Sequence, residues 1–337
     1  MTALTKAMVL QGPSVITSES IARPIAKENE VLVRITHSGL CGTDLKIFQG
    51  AIPTKYPLIM GHEMVGEVVE GLKKDQRVII DPVYFCGTCF HCRVGQTNLC
   101  PNGGLIGRDV NGGFAEYAVF PASQAFPLPD SIHMDTAALI QVATTCLHAQ
   151  RLAPFFVGES VVVLGLGVSG QLHVQIAKAR GAGVVIGVSR SKFKREMAQS
   201  LGADLTIEPG EAALQKIWNA TSGRGADVVI DSTGVVSQLA EAILFVRFGG
   251  RIIMFGIISA KDGALPFYQL YFKELTLYNG RAAKAEDFTG MIDLVARGIV
   301  KLEPLITHRM GLGDLEKAIG MVEDGEDRRL KILLNHV

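Results

Sequence analysis

The stretch Val161–Gly170 reads VVVLGLGVSG and decides the fold of the second half of the chain. Its apolar run Val161–Leu164 has the length of a short buried strand. Glycines follow at 165, 167 and 170. Gly165 permits a tight turn, Gly167 lets the backbone approach a pyrophosphate, and Gly170 allows a helix to pack on the strand. The pattern predicts a dinucleotide-binding turn, although such glycines can also form only a turn.

Val168, within this turn, is assigned to cofactor binding with the three glycines, and apolar runs and helical patterns alternate after it. Strands are predicted at Val161–Leu164, Val184–Val188, Asp227–Ile230 and Arg251–Phe255, and helices at Gln171–Arg180, Lys194–Leu201, Ala212–Asn219 and Ser237–Phe245. Such alternation predicts a doubly wound α/β domain, with a parallel sheet covered by helices on both faces. We assign residues 151–287 to it.

Residues 1–150 have a different, β-rich pattern. Glu30–Thr36 (EVLVRIT) alternates apolar and polar residues, which favours a half-buried strand. Short apolar runs at Gly66–Glu70 and Arg77–Pro82 lie among many glycines and prolines, as expected of an irregular barrel. The chain ends in the apolar run Lys331–Leu334. We expect this tail to return to the first domain, which therefore takes residues 1–150 and 288–337.

Composition restricts the class of partner. Lys+Arg and Asp+Glu both number 33 among 337 residues, so no nucleic-acid or anionic-membrane surface is indicated. Neither a membrane-spanning stretch nor a secretory signal is recognisable. We expect a cytoplasmic protein that acts on a small molecule.

The end of the second predicted strand bears on the cofactor. An NAD site usually places a carboxylate here for the ribose 2′-hydroxyl, but this chain has Ser189-Arg190-Ser191-Lys192. Arg190, the Ser189 hydroxyl and Lys192 would suit a 2′-phosphate, which favours NADP over NAD. A solvated basic helix start is the alternative.

Four of the six cysteines lie within fifteen residues, at Cys86, Cys89, Cys92 and Cys100. Four thiolates can surround zinc with no open position, which is typical of a structural site. Reduced or disulfide-bonded cysteines and an iron–sulfur cluster are the alternatives.

A second set of candidate ligands is more dispersed. Cys41-Gly42-Thr43-Asp44 is followed about twenty residues later by Gly61-His62-Glu63. A thiolate, an imidazole and a carboxylate suit a zinc ion that keeps an exchangeable position.

These motifs together resemble the zinc-containing medium-chain dehydrogenase/reductase family, which comprises alcohol and polyol dehydrogenases. The resemblance covers nearly the whole chain. It rests on Cys41–Asp44, Gly61–Glu63, the lobe at residues 86–100, Gly112-Gly113-Phe114-Ala115-Glu116-Tyr117, and Gly165–Gly170. It implies a GroES-like catalytic domain with a Rossmann domain, and a homodimer or homotetramer.

The resemblance also implies roles for individual residues. Cys41 and His62 become catalytic zinc ligands, and Glu63 lies beside the metal and can ligate it. Thr43 becomes the hydroxyl that contacts the substrate oxygen. Asp44 becomes the carboxylate that holds the histidine ligand.

Two positions depart from the family pattern. Gln141 occupies the place of a third protein ligand that is often Cys, Asp or Glu, although sugar-oxidising members carry glutamine there. Cys146 is a competing thiolate, and His148 is assigned to packing or to supporting a ligand from outside the metal's own contacts. Lys46 stands where many members have a proton-relaying histidine, and it would stay charged at neutral pH.

The implied activity is zinc-dependent hydride transfer between NADP and the hydroxyl-bearing carbon of a polyol, sugar or secondary alcohol, with one catalytic and one structural Zn²⁺. An NAD-linked secondary-alcohol or threonine-type dehydrogenase is the alternative. A zinc-free quinone or enoyl reductase would lack the cysteine lobe and the Cys41–His62 pair. A catalytically silent NADPH-binding sensor would not need Thr43 and Asp44.

Overall fold

The computed structural model describes residues 3–336. Residues 1, 2 and 337, which belong to the predicted first domain, lie outside the described residues. The strands are β1 (Leu4–Gly12), β2 (Val15–Ala22), β3 (Glu30–Leu40), β4 (Leu58–Ile59), β5 (Glu63–Gly71), β6 (Arg77–Ile80), β7 (Val83–Tyr84), β8 (Gly104–Leu105), β9 (Tyr117–Pro121), β10 (Ala125–Pro127), β11 (Ser160–Leu164), β12 (Val184–Val188), β13 (Leu205–Ile207), β14 (Ala226–Asp231), β15 (Val246–Met254), β16 (Thr276–Asn279), β17 (Ile306–Gly311) and β18 (Lys331–Asn335). The helices are α1 (Gly42–Phe48), α2 (Phe90–Arg93), α3 (Met134–Ala137), α4 (Ile140–Leu152), α5 (Val168–Ala179), α6 (Lys192–Ser200), α7 (Glu211–Ala220), α8 (Val236–Phe245), α9 (Phe267–Phe272), α10 (Ala285–Ala296) and α11 (Leu315–Asp324).

The described chain divides into two compact units. The first runs up to Val142 and also contains Lys284–Ala296 and the segment from Leu302 onward. The second contains Ala143–Ala283 and Arg297–Lys301. Together they confirm the predicted fold class, a β-rich domain and a parallel-sheet α/β domain.

In the first unit, the larger sheet has the order β10-β6-β5-β3-β18-β17, and β9 also pairs with β3. A smaller sheet, β2-β1-β4, joins the hairpin at the start of the chain to the strand just before the candidate ligands. The tail strand β18 runs antiparallel to β3, with Leu334 opposite Ser38. This pairing brings residues from both ends of the chain into one sheet.

Strand β3 differs from the half-buried strand that its alternation predicts. Val31, Leu32 and Val33 are all fully buried, and further strands pair with β3 on both sides. The expectation of one solvated face was therefore wrong. Only Glu30, Arg34 and His37 in this strand are partly exposed.

The second unit is built on a six-stranded parallel sheet with the order β13-β12-β11-β14-β15-β16. Alternate residues of β11 enter different cores: Val162 and Leu164 face one apolar cluster, and Val161 and Val163 face the other. A strand buried on both faces is typical of a parallel sheet with helices on each side.

The described helices include none that is long and apolar enough to cross a membrane.

Candidate active site

Helix α1 positions the first candidate ligand. Cys41 is its N-cap residue, and its backbone N–H donates to Asp44 Oδ2 at 2.9 Å. This is one half of a capping box, in which a carboxylate three residues on accepts from the N-cap backbone. Asp44 is fully buried, so the bond fixes the carboxylate next to the Cys41 sulfur.

The second candidate ligand, His62, immediately precedes β5 and is buried. Its Nδ1 lies 3.2 Å from Asp44 Oδ1, although the two atoms do not form a well-aligned hydrogen bond. Burial alone would lower the pKa of His62, but the Asp44 carboxylate and the Cys41 side chain raise that pKa well above 6.5. The imidazole therefore lies in a negative potential that favours a cation.

Glu63, the third candidate, is fully buried and bonded to a lysine from the other end of the chain. Lys331 Nζ donates to Glu63 Oε1 at 2.8 Å and to Oε2 at 2.7 Å, and also to the carbonyl of Leu40. Gly39 lies opposite Glu63 in the sheet, and a Cβ there would collide with Oε2. Only glycine at position 39 leaves room for this carboxylate.

These groups fit a divalent cation. Ligand atoms of Cys41, His62 and Glu63 all lie within 4.8 Å of one another. With Cys41 as a thiolate and His62 as a neutral imidazole, the states that a metal requires of its ligands, the thiolate, Asp44 and Glu63 carry three negative charges against the single positive charge of Lys331. A divalent cation would balance this difference. A thiolate, an imidazole and a carboxylate also have the donor chemistry of a zinc site.

The other predicted members of this site differ in exposure. Thr43, in the first turn of α1, and Lys46 are partly exposed. Gln141 is buried at the start of α4. Cys146 belongs to the second unit, and its Sγ lies 3.7 Å from the carbonyl oxygen of Ser169. His148, assigned to packing, is buried in the same helix.

The four clustered cysteines also converge. The Sγ atoms lie 3.5 Å apart for Cys89 and Cys92, 3.8 Å for Cys89 and Cys100, and 3.6 Å for Cys86 and Cys100. Zinc–sulfur bonds of about 2.3 Å in a tetrahedron place the sulfurs about 3.8 Å apart. None of the described cysteines forms a disulfide. The spacing thus suits a closed four-thiolate site.

Backbone geometry adds to the case for this lobe. N–H groups of Thr88 and Cys89 point at the Cys86 sulfur and lower its pKa to about 5. Burial and the neighbouring Cys89 thiol raise the pKa of Cys92 to about 12. One thiolate is thus favoured before any metal binds, whereas ionisation at Cys92 needs a cation nearby.

The glycine-rich turn in the second unit has the geometry of a phosphate cradle. Gly165 has φ +82°, and a Cβ on Gly170 would collide with the Gly165 carbonyl oxygen. Gly167 caps α5, and a Cβ there would meet nothing within 4 Å. This open space, in front of the free N–H groups beginning at Val168, would admit a pyrophosphate.

The predicted 2′-phosphate residues follow β12. Arg190 and Lys192 are exposed, and Ser189 is partly exposed. The Arg190 guanidinium forms no ion pair with any residue between 3 and 336, whereas Lys192 lies 3.7 Å from Glu196. The Ser189 hydroxyl accepts from the Ser191 N–H at 3.3 Å, which orders the loop.

Sequence reasoning missed two basic residues that the structure places at these sites. Lys331 was read only as the start of an apolar strand, although a lysine opening a buried run is itself a signal. Arg195 Nη1 donates to the carbonyls of Ser189 and Arg190 at 2.6 and 2.8 Å. These bonds stabilise the loop after β12. The position of Arg195 in the first turn of α6 did not predict this contact.

Comparisons with known proteins agree with this geometry. The family model of the alcohol dehydrogenase GroES-like domain matches residues 27–130, and that of the zinc-binding dehydrogenase matches residues 169–297. An L-threonine 3-dehydrogenase of Pyrococcus abyssi is 34% identical over 90% of this chain and 91% of its own.

Two solved structures superpose over almost the full length. A zinc-binding dehydrogenase of Sinorhizobium meliloti bound to NADP has a TM-score of 0.93 at 29% identity, covering 99% of this chain and 100% of its own. An Escherichia coli alcohol dehydrogenase complexed with NADH has a TM-score of 0.92 at 29% identity, with the same coverage. The chain belongs to the zinc-containing medium-chain dehydrogenase/reductase family, as an oxidoreductase of the alcohol and polyol dehydrogenase type.

Proposed function

We propose that the protein is a zinc-dependent dehydrogenase that transfers hydride between NADP and the hydroxyl-bearing carbon of a polyol, sugar or secondary alcohol. Oxidation yields the carbonyl compound, NADPH and a proton, and the reverse reaction consumes them. The observation that carries the proposal is the convergence of Cys41, His62 and Glu63, whose ligand atoms all lie within 4.8 Å of one another.

Cys41 and His62 would hold the catalytic zinc, with Glu63 and Gln141 as further candidate ligands. When bound, zinc supplies Lewis-acid polarisation of the substrate hydroxyl, and NADP supplies the hydride acceptor. Asp44 contacts His62 Nδ1 and so orients the ring that presents Nε2 to the metal.

Two further side chains have roles in this proposal, one in proton transfer and one in fixing a candidate ligand. Thr43, partly exposed in the first turn of α1, would accept the proton of the substrate hydroxyl and pass it toward solvent. Lys331 donates to both oxygens of Glu63, which fixes the position of that carboxylate beside Cys41 and His62.

We assign NADP rather than NAD because of the loop after β12. Gly165, Gly167, Val168 and Gly170 would bind the pyrophosphate, and Ser189, Arg190 and Lys192 would bind the 2′-phosphate. The guanidinium of Arg190, which has no ion-pair partner in the described part of the chain, supports this choice, since bidentate donors suit phosphate oxygens. The similarity to the Pyrococcus relative and to the NADH complex is the support for the alternative, an NAD-linked threonine-type enzyme.

Further parts of the proposal concern the remaining metal, the assembly and the setting. Cys86, Cys89, Cys92 and Cys100 would hold a second, structural zinc. The active form would be a homodimer or homotetramer. The reduced state of all six cysteines suits a cytoplasmic protein.

The test is a metal analysis combined with a screen of sugars, polyols and alcohols, using NADP⁺ and then NAD⁺. His62→Ala should lose one of two zinc ions and lower kcat/KM by about a thousandfold, since Lewis-acid stabilisation contributes several kcal/mol. His133→Ala, which removes an exposed histidine, is the matched control. Full turnover by a sample with only one zinc per chain would overturn the proposal.

A further inference from the structure

A cleft in the first unit, outside the candidate metal centre, has no role in the scheme above. Its volume is about 440 Å³, within the range of small-ligand sites. One wall is the segment Pro53–Lys55, and the other is formed by Tyr84, Gly103, Arg108 and Asp109. The Thr54 hydroxyl donates to the Arg108 carbonyl and so ties the two walls together.

The cleft has two cationic groups with unused donors. Arg108 Nε donates to both oxygens of Asp109 at 3.0 Å, and Nη2 also bonds that carboxylate. The Nη1 edge of the guanidinium has no partner among residues 3–336. The Lys55 ammonium is exposed and forms no ion pair or hydrogen bond with any described residue. The cleft therefore carries a net charge of about +1, with its arginine already oriented by Asp109.

Hydroxyl groups complete the lining. Gly104 leaves room for the Tyr84 phenol, because a Cβ there would collide with both Tyr84 Oη and Asp109 Oδ2. Burial and the Asp109 carboxylate raise the pKa of Tyr84, so the phenol stays protonated and can donate. The Tyr84 phenol, the Lys55 ammonium and the Nη1 edge of Arg108 are thus donors that suit a ligand rich in oxygen atoms.

The two walls continue directly from the segments that carry the candidate metal ligands. Pro53–Lys55 follows α1, and the N–H of Ile52 donates to the Lys46 carbonyl at 3.1 Å. Gly107 and Gly112, on either side of the Arg108–Asp109 pair, pack against the backbone of Gly61, the residue before His62. The cleft is therefore attached to the same two backbone segments as Cys41 and His62.

We propose that this cleft binds an oxyanion carried by the substrate, so that the preferred substrate is a polyol or sugar bearing a phosphate monoester or a carboxylate. The inference rests on the proposed function, because it takes the metal centre to be where the hydroxyl-bearing carbon reacts. The Nη1 edge of Arg108 and the Lys55 ammonium bind the oxyanion. The Tyr84 phenol donates a hydrogen bond to an adjacent hydroxyl group of the substrate. A neutral alcohol would leave the net positive charge of the cleft, about one unit, without a counter-charge.

The experiment compares three six-carbon probes at about 0.15 M ionic strength: sorbitol, sorbitol 6-phosphate and gluconate. Each is measured for binding by titration calorimetry and for turnover with NADP⁺, using the metal-replete enzyme. We expect the phosphate or the carboxylate to bind at least about tenfold more tightly than sorbitol, the factor typical of one charge-assisted contact. Which of the two does so identifies the oxyanion.

Lys55→Ala and Arg108→Gln should each lower the preference for the anionic probe over sorbitol by about tenfold. Lys27→Ala is the matched control, since Lys27 is likewise exposed and without an ion-pair partner. Both variants change the surface of the protein, and their circular dichroism and zinc content should equal those of the wild type.

The outcomes separate the two proposals. Oxidation of sorbitol with no anion preference, or a preference that Lys55→Ala leaves intact, would overturn the oxyanion site and leave the proposed function standing. Anion binding that depends on Lys55 and Arg108, without turnover of any alcohol, would support the cleft as an oxyanion site and overturn the proposed function together with the substrate assignment.

Discussion

The buried carboxylate of Glu63 depends on one lysine for its counter-charge. Glu63 and Lys331 are 0% and 3% exposed, and both carboxylate oxygens accept from Nζ. Burial would lower the pKa of Lys331, but Glu63 and Cys41 raise it above 10.5, so the lysine is a cation throughout the working range. Removing the positive partner would leave a negative charge without compensation.

Lys331→Met should lower the free energy of unfolding by about 3–5 kcal/mol, because it leaves the buried Glu63 carboxylate without a positive partner. Urea denaturation with the chelated protein measures this without a contribution from zinc. The double variant Lys331→Met with Glu63→Gln should recover much of the loss, whereas Lys27→Met should be close to neutral. A single variant within 1 kcal/mol of wild type would contradict the pairing.

His173 gives the second unit a dependence on pH. It is fully buried on α5, its Nδ1 lies 3.1 Å from Gln150 Nε2, and burial lowers its pKa to about 3. Between pH 6.5 and 3 the unfolded chain therefore binds a proton that the folded chain does not. Stability from this group is fully present above pH 6.5 and is lost as the pH falls toward 3.

His173→Gln should flatten the pH dependence of unfolding between pH 6 and 4 by roughly 1.4 kcal/mol per pH unit. Chemical denaturation at several pH values provides the measurement. The variant is expected to be less stable than wild type at pH 7, because it alters a packed ring against Phe255. An unchanged slope would show that another group is responsible.

Individual residues differ in how far the sequence could identify them. Cys41, His62 and Glu63 carry their chemistry in short motifs, and the structure brings their ligand atoms together; their roles as ligands stay predictions. Lys331 could not be found in this way. A counter-ion 268 residues distant is set by which strands pair, and no local pattern records that pairing.

At the scale of single elements, the cysteine lobe has little apolar support of its own. Phe90 and Val94, at and beside the short helix α2, are 70% and 51% exposed. Among the four cysteines only Cys100 is buried. Because residues 86–100 bury so few side chains, apolar packing stabilises them little. The proposed zinc, bound by the four cysteines, would be the main source of their local stability.

Cys92→Ser should lose one zinc per chain and increase hydrogen exchange across residues 86–100. We expect kcat/KM to fall by less than about tenfold, since the four-thiolate site has no open position for substrate. Arg93→Ala, an exposed non-ligand in the same helix, is the control. Unchanged metal content would contradict a zinc held by all four sulfurs.

Secondary structure was predictable where the strands are deeply buried. The structure has β12 at the predicted bounds and β11 and β14 within a residue or so. Several strands were not predicted, and some of these, such as β2, β13 and β16, are short or largely exposed. Strand β1 was also missed, although its residues Ala7, Met8, Val9 and Leu10 are buried. The burial of β3 was misjudged because its neighbours on both sides come from distant parts of the chain.

At the scale of the whole molecule, one sheet edge stands out. Strand β16 pairs with β15 on one side and, among residues 3–336, with no strand on the other. The preceding helix α9 exposes four aromatic side chains, each more than half exposed: Phe267, Tyr268, Tyr271 and Phe272. An open sheet edge beside exposed aromatic surface favours association with a second copy.

The purified protein should therefore have a mass of two or four 36.2 kDa chains by light scattering. Tyr271→Glu, at a side chain that is 83% exposed, should shift this mass toward the monomer, because a charge cannot be buried in an apolar contact without cost. Val157→Glu is the control, since that side chain is 87% exposed elsewhere in the same unit. A monomeric wild type at micromolar concentration would contradict the expectation.

The antiparallel pairing of β18 with β3 has a consequence for biosynthesis. Ribosomes add about 5–20 residues per second, so Lys331 emerges roughly 13–54 s after Glu63, from which it is 268 residues distant. Throughout that interval the nascent chain has the thiolate, the imidazole and both carboxylates but not the ammonium group. The proposed catalytic zinc would therefore reach its final environment only after residue 331 has been synthesised.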